Sequence, residues 1–191
     1  MQLPRRIRLQ PGQTILPFDC GNADLNDFLQ NDASVYLREL LAVTYLFEWE
    51  GRCIAFYSVS NDLIRSEESK SKSFWKRGVG KFLNHQKRNW KSYPAVKLAR
   101  LGVDKDYQKF GLGRQILDLL KADFVTNNKT GCRFITVDAY NNPKTLEFYE
   151  RNGFEYLDET DSNKKTRLMF FDLAVFVRGG RENLDHQEPG Q

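Results

Sequence analysis

The sequence predicts an α/β fold, with a mixed, mostly antiparallel central sheet flanked by helices on both faces. Three observations predict it. Segments rich in β-branched and aromatic residues alternate with segments of helical periodicity, in the order β, α, hairpin, insert, β, α, β, α, β, β. The apolar run Val96 to Val103 passes through a glycine turn into a helical pattern and then a second apolar run, which makes one βαβ crossover. The 191 residues, 40% hydrophobic and 28% charged, suit a single domain with a full core. We place that domain at 1–177 and read 178–191, which has few apolar residues, as a polar, disordered tail.

Each element has its own signal. Arg6 to Gln10 alternates and makes a first edge strand, broken by Pro11-Gly12. Asn22 and Asp24 are good N-caps, and Leu25, Phe28, Leu29, Tyr36, Leu40 and Leu41 recur at helical spacing. A helix over 24–41 with those side chains in the core is therefore expected. Val43 to Trp49 and Arg52 to Val59, parted by Glu50-Gly51, form a hairpin. Asn61 to Ser73 is polar and reads as a loop. Phe74 to Trp90 reads as one or two short helices, and Tyr93-Pro94 ends the segment because the residue before proline avoids the helical region. Ala95 to Asp104 is the central strand. Arg114 to Thr126 is a helix with Ile116, Leu117, Leu120 and Phe124 on one face. After a turn at Asn127 to Gly131, Cys132 to Tyr140 is a buried strand. Pro143 starts a short helix that Asn152-Gly153 closes. Phe154 to Leu157 and Thr166 to Val177 are the last strands.

The chemistry centres on Tyr107-Gln108-Lys109-Phe110-Gly111-Leu112-Gly113-Arg114, between the central strand and the next helix. The start of a helix presents N–H groups without internal partners and a partial positive charge. Glycines let the backbone approach a ligand closely, so strand, glycine turn and helix make an anion site. No Gly-x-x-x-x-Gly-Lys-Ser/Thr run is present. Gly111-x-Gly113 is followed by Ile116, so the third glycine of the dinucleotide fingerprint is missing too.

Charge and cysteine usage narrow the function classes. No apolar stretch reaches membrane-spanning length, and the start, Met1-Gln2-Leu3-Pro4-Arg5-Arg6, lacks the apolar region of a signal peptide. Three scattered cysteines and two histidines offer no metal-like spacing, and they fit a reducing cytoplasm rather than a disulfide scaffold. Ser69 to Arg100 carries ten Lys/Arg and no Asp/Glu, against a net −6 over the other residues. Phe74, Trp75, Phe82, Trp90 and Tyr93 are interleaved there. The stretch is either a solvated basic helix with an apolar face or a landing surface for a polyanion such as RNA, with Lys87, Arg88 and Lys91 as candidate contacts.

About thirty residues past the glycine loop stands Asn142-Pro-Lys-Thr145-Leu-Glu-Phe148-Tyr149-Glu-Arg-Asn-Gly153-Phe154. The loop, Gln108-x-x-Gly111-x-Gly113, resembles the pyrophosphate loop of the GCN5-related N-acetyltransferases. The second motif is similar to that family's Asn-x-x-Ala-x-x-x-Tyr-x-x-x-Gly-Phe, with Thr145 in place of alanine. Together they cover Val96 to Leu157. The resemblance implies the acyl-CoA N-acyltransferase fold, acetyl-CoA as acetyl donor and a primary amine as acceptor. It implies that the amides of Leu101 and Val103, on either side of Gly102, hold the pantetheine arm. Gln108, Lys109, Phe110, Gly111, Leu112, Gly113 and Arg114 would form the pyrophosphate loop. Asn142 and Thr145 would lie by the cofactor arm, with Tyr149 as general acid. Glu48, Asp104 and Asp138 are candidates for a general base by strand position alone, and a water chain would serve as well.

A further likeness spans Phe18-Asp-Cys-Gly21-Asn-x-x-Leu25-Asn-x-Phe28-Leu29 and Tyr93-Pro-Ala-Val-Lys-Leu-Ala-Arg100-Leu-Gly-Val-Asp104. These segments resemble the acetyltransferase toxins of toxin–antitoxin pairs, which acetylate the free amine of aminoacyl-tRNA. That implies an aminoacyl-tRNA acceptor and an antitoxin protein as partner. Homodimers are common for such a fold, though no stretch marks an interface. The rival reading is a non-catalytic acyl-CoA-binding or RNA-binding module on the same scaffold.

Overall fold

The computed structural model describes residues 4–68, 75, 91–126, 130–158, 161–175 and 177. The helices expected over Phe74 to Trp90, including Lys87 and Arg88, and the tail 178–191 lie outside the described residues, Trp75 excepted. The strands are β1 (Arg5–Arg8), β2 (Val43–Trp49), β3 (Arg52–Arg65), β4 (Ser92–Val103), β5 (Phe134–Tyr140), β6 (Glu155–Tyr156) and β7 (Thr166–Asp172). The helices are α1 (Ala23–Asp27), α2 (Ala33–Arg38), α3 (Leu112–Thr126) and α4 (Pro143–Arg151). The sheet order is β1-β2-β3-β4-β5-β7-β6, and the pairs β1/β2, β2/β3, β5/β7 and β6/β7 are antiparallel. This is the mixed, mostly antiparallel sheet that the element order predicts. No helix among the described residues is long and apolar enough to cross a membrane.

The chain divides into two compact units, Met1–Asn61 with Lys97–Leu117 and Asp62–Val96 with Asp118–Gln191. In the first, Glu50 and Gly51 both adopt positive φ, 47° and 75°, the mirror-image turn that suits the twist of a two-residue hairpin. The first helix differs from expectation. Asn22 caps it, its side-chain oxygen accepting from the Leu25 N–H at 3.2 Å. One π-type turn, Phe28–Asp32, then joins α1 to α2, and the Ala33 N–H reaches back to the Phe28 carbonyl. That wider turn changes the phase of every later side chain. Ala33 and Leu37 pack with Phe28 and Leu29, while Tyr36 turns partly outward. Leu40 has a φ of 58° and ends the helix, leaving Leu40 90% exposed and Leu41 exposed.

The second unit is built on the long register of β5 with β7, from Phe134↔Asp172 to Tyr140↔Thr166. Its core gathers Ile64, Ala95, Phe134, Leu157 and Phe170. Three boundaries move. β3 runs on to Arg65 through the segment expected as a loop, with Ile64 fully buried and its neighbours Leu63 and Arg65 exposed. β4 begins at Ser92, with Pro94 inside it, and the Pro94 carbonyl accepts from the Arg133 N–H at 3.0 Å. β7 stops at Asp172, whose carboxylate accepts from the Ala174 N–H at 3.0 Å and starts a helical turn.

Candidate functional site

In the first unit the chain leaves β4 at Val103 and enters a tight path to α3. Asp104 is completely buried. Its Oδ2 accepts from the Asp19 N–H at 3.1 Å and from Arg52 Nη2 at 3.2 Å, and its Oδ1 accepts from the Asp106 N–H at 3.1 Å. A buried carboxylate is tolerated when its oxygens are matched by donors in this way. Residues Gln108–Phe110 make one 3₁₀ turn, and Gly111 follows at φ 71°, where an L side chain is strained. The first backbone bonds of the new helix are Arg114 N–H and Gln115 N–H to the Gly111 carbonyl, at 3.1 and 3.2 Å. Leu112 and Gly113 precede them, so their amides stand at the helix start, where N–H groups have no intrahelical acceptor. Lys109 and Arg114 are exposed on either side of the turn, and nothing lies within 4 Å of where a Gly111 Cβ would be. Open space, helix-start amides and two cations suit a phosphate.

Gly102 has another reason to be glycine. A Cβ there would lie 2.6 Å from a Phe56 ring carbon and 3.0 Å from one of Phe18. Leu101 and Val103 beside it are half-buried. The Gln108 side chain braces the loop from within, its Nε2 donating to the Cys20 carbonyl at 2.9 Å and the Val103 carbonyl at 3.0 Å.

In the second unit, α4 starts where the Asn142 side-chain oxygen accepts from the Thr145 N–H at 3.0 Å. Gly153, at φ 80°, ends it, with Phe171 filling the space a side chain would need. Tyr149 is 7% exposed and is held by edge contacts with Phe148 and Phe154, ring centroids 5.1 and 5.3 Å away. The Tyr149 hydroxyl makes no hydrogen bond among the described residues, and burial alone pushes its phenol well above the ordinary tyrosine value. Tyr149 therefore stays protonated. Lys121, 4% exposed, ties down the end of the helix. Its Nζ donates to the Asn152 carbonyl at 2.8 Å and lies 4.2 Å from the Phe171 ring centroid.

Residues 78–156 match the family model described as acetyltransferase (GNAT) domain. That stretch of the chain is similar to the GNAT acetyltransferase domains. The GNAT family uses acetyl-CoA as its acetyl donor, and both motifs of the expected resemblance fall inside the matched stretch or at its edge. Solved structures share the fold at low identity. AtaTR bound with acetyl-CoA superposes with a TM-score of 0.71 at 21% identity, covering 93% of this chain and 98% of that one. AtaT complexed with acetyl-methionyl-tRNAfMet gives 0.70 at 22% identity, covering 91% and 97%. A tyrosine-to-phenylalanine mutant of the toxin AtaT, bound to the C-terminus of the antitoxin AtaR, gives 0.68 at 20% identity, covering 97% and 99%.

The expected site residues fall into two groups. Leu101, Gly102, Val103 and Gln108 to Arg114 belong to the first unit, and Asn142, Thr145 and Tyr149 share α4 in the second. Lys91 is exposed, and its carbonyl accepts from the Ser66 N–H at 2.7 Å. Asp104 already serves three donors, Glu48 is half-buried beside a register irregularity in β2, and Asp138 is exposed. Sequence reasoning missed the supporting residues Asp19, Asn26, Lys105 and Lys121. The first two lie in the Phe18-to-Leu29 segment, whose pattern was visible although its use was not.

Proposed function

We propose that this chain transfers the acetyl group of acetyl-CoA to a primary amine by direct attack, over a domain spanning 1–177, with Tyr149 as general acid. The amides of Lys109 to Arg114, with the Lys109 and Arg114 charges, would hold the pyrophosphate, and Leu101 and Val103 would hold the pantetheine arm. Asn142 and Thr145 would lie along that arm. The amine nitrogen attacks the thioester carbonyl, the C–S bond breaks, and Tyr149 donates its proton to the departing sulfur. The proton shed by the nitrogen as the amide forms returns to the tyrosinate through water. Acetyl transfer itself rests on the matched domain. The observation that carries the role of Tyr149 is a phenol kept protonated by the burial of its ring, with a hydroxyl that makes no hydrogen bond among the described residues.

The acceptor we propose is the free amine of an aminoacyl-tRNA. The basic stretch Ser69 to Arg100, with ten Lys/Arg and no Asp/Glu, would meet the phosphate backbone, with Lys87, Arg88 and Lys91 among the contacts. The likeness to AtaT, which was solved with an acetylated tRNA, supports the same acceptor. By the same likeness an antitoxin protein is the proposed partner. The test is purified protein with radiolabelled acetyl-CoA and a panel of aminoacylated tRNA, deacylated tRNA, polyamines and peptides. Label only on aminoacylated tRNA is the expected result. Label on small amines keeps the enzyme and removes the RNA acceptor. No label on any acceptor, with acetyl-CoA bound, favours the non-catalytic module.

A further inference from the structure

The segment Pro17 to Asn26 touches the glycine loop through a closed set of polar contacts, all within the first unit. The Asp19 N–H donates to Asp104 Oδ2 at 3.1 Å, and the Asp19 carbonyl accepts from the Lys105 N–H at 2.9 Å. The Asp19 carboxylate does more. Its Oδ1 accepts from the Gly21 N–H at 2.9 Å and from Asn26 Nδ2 at 2.8 Å, and its Oδ2 accepts from Lys105 Nζ at 2.9 Å. Asn26 in turn accepts from the Cys20 N–H at 3.0 Å, and the Cys20 carbonyl takes the Gln108 amide at 2.9 Å. The Cys53 N–H fastens the far end to the Pro17 carbonyl at 3.1 Å. Three of these links brace the segment internally, and the others join it to Asp104, Lys105 or Gln108, the residues that set the path into the turn, or to the hairpin behind them. None uses an amide of Gly111, Leu112 or Gly113.

We propose that the Asp19 carboxylate is a positioning residue for the acyl-CoA phosphate loop, and that Pro17 to Asn26 works as a clasp holding the loop amides in their binding geometry. This rests on the acetyl-CoA reading above. A loop held by backbone alone must be ordered when the ligand binds, and that ordering weakens affinity. The clasp orders it beforehand. Among the described residues the Asp19 carboxylate reaches the loop through Lys105 and, by way of Asn26, the Cys20–Gln108 contact, so its removal should loosen the loop without touching the reacting atoms.

The experiment uses the full chain and coenzyme A binding by calorimetry, beside steady-state transfer. Asp19→Asn keeps size and loses charge, and Asn26→Ala removes the next link. For each, the dissociation constant for coenzyme A and the KM for acetyl-CoA should rise about tenfold, the low end of what losing an outer-sphere partner does at a bound ligand. kcat at saturating acetyl-CoA should stay within about twofold. The double variant should show less than the product of the two single effects, because both act through one chain of contacts. Asp19→Glu, which keeps the charge, should recover part of the affinity. Unchanged coenzyme A affinity in folded Asp19→Asn protein would overturn the clasp, as would an equal fall in kcat with KM unmoved. If the unsubstituted chain fails to bind coenzyme A, the acetyl-CoA reading itself fails, and that result is distinct from the first.

Discussion

The glycine loop and the Tyr149 helix are held in place by opposite means. Around the loop the contacts are polar: a buried Asp104 with three donors, Asp19 with three, and the Gln108 amide with two acceptors. Around Tyr149 they are aromatic: Phe148, Phe154 and Phe171, with Lys121 against the Phe171 ring. The difference follows from what each region leaves unbonded. A loop that offers backbone amides cannot be fixed by those amides, so side chains must satisfy the rest of its backbone. A phenol that offers its hydroxyl cannot be fixed by that hydroxyl, so its ring is gripped instead. In both, the functional atoms are the ones the packing does not use.

Four changes test this contrast, from the largest expected effect to the smallest. Gly111→Glu sets a side chain at φ 71° and a negative charge beside the helix-start amides, and coenzyme A binding should fall below detection by calorimetry. Normal affinity there would put the phosphate elsewhere. Tyr149→Phe keeps the ring contacts and removes the donor. Transfer should slow by about 10²–10⁴-fold while coenzyme A affinity and the melting point hold, and unchanged turnover would remove Tyr149 from the mechanism. Asp104→Ala removes the acceptor of the Asp19 and Asp106 amides and of Arg52 Nη2, while Arg52 Nη1 keeps Asp106 Oδ2 at 3.2 Å. Loss of the buried carboxylate that serves these three part-buried donors should lower unfolding stability by about 2–3 kcal/mol in urea, and a shift under about 0.5 kcal/mol would mean that water replaces the carboxylate.

The smallest effect is one of pH. Burial pushes the Cys53 thiol up to about 12 and the Cys132 thiol up to about 11, from an ordinary value of 9.0. In the unfolded chain both thiols lose their protons as pH rises past that ordinary value, while the folded chain keeps them. Stability is therefore full below about pH 9 and declines as pH rises toward the folded values. Melting curves should fall across that window, and Cys53→Ala should flatten part of the fall. A flat profile would show that neither thiol is sealed from water.

The two motifs were legible because each depends on local chemistry. A positive φ needs Gly111 and Gly153, a helix start needs Asn142, and a turn needs Glu50-Gly51. Strand lengths were less legible. Asn61 to Arg65 is polar on its face, yet it continues β3, and a strand extends wherever a neighbouring backbone offers bonds, whatever the local composition. The first helix had the right cap and the wrong phase, since no residue in Phe28–Asp32 announces a π-type turn.

Gly102 illustrates the boundary between the two kinds of knowledge. The residue order placed it on the central strand, at the proposed pantetheine site, but only the approach of Phe56 and Phe18 explains the missing side chain. Asp104 read as one of three equal carboxylates until the fold surrounded it with donors from residues 19, 52 and 106. Periodicity, caps and glycine turns are properties of neighbours along the chain, so the order of residues carries the fold class and both motifs. Which polar atoms are already bonded, and which are left for a ligand, depends on groups up to 88 residues apart meeting in space, and that is settled by packing.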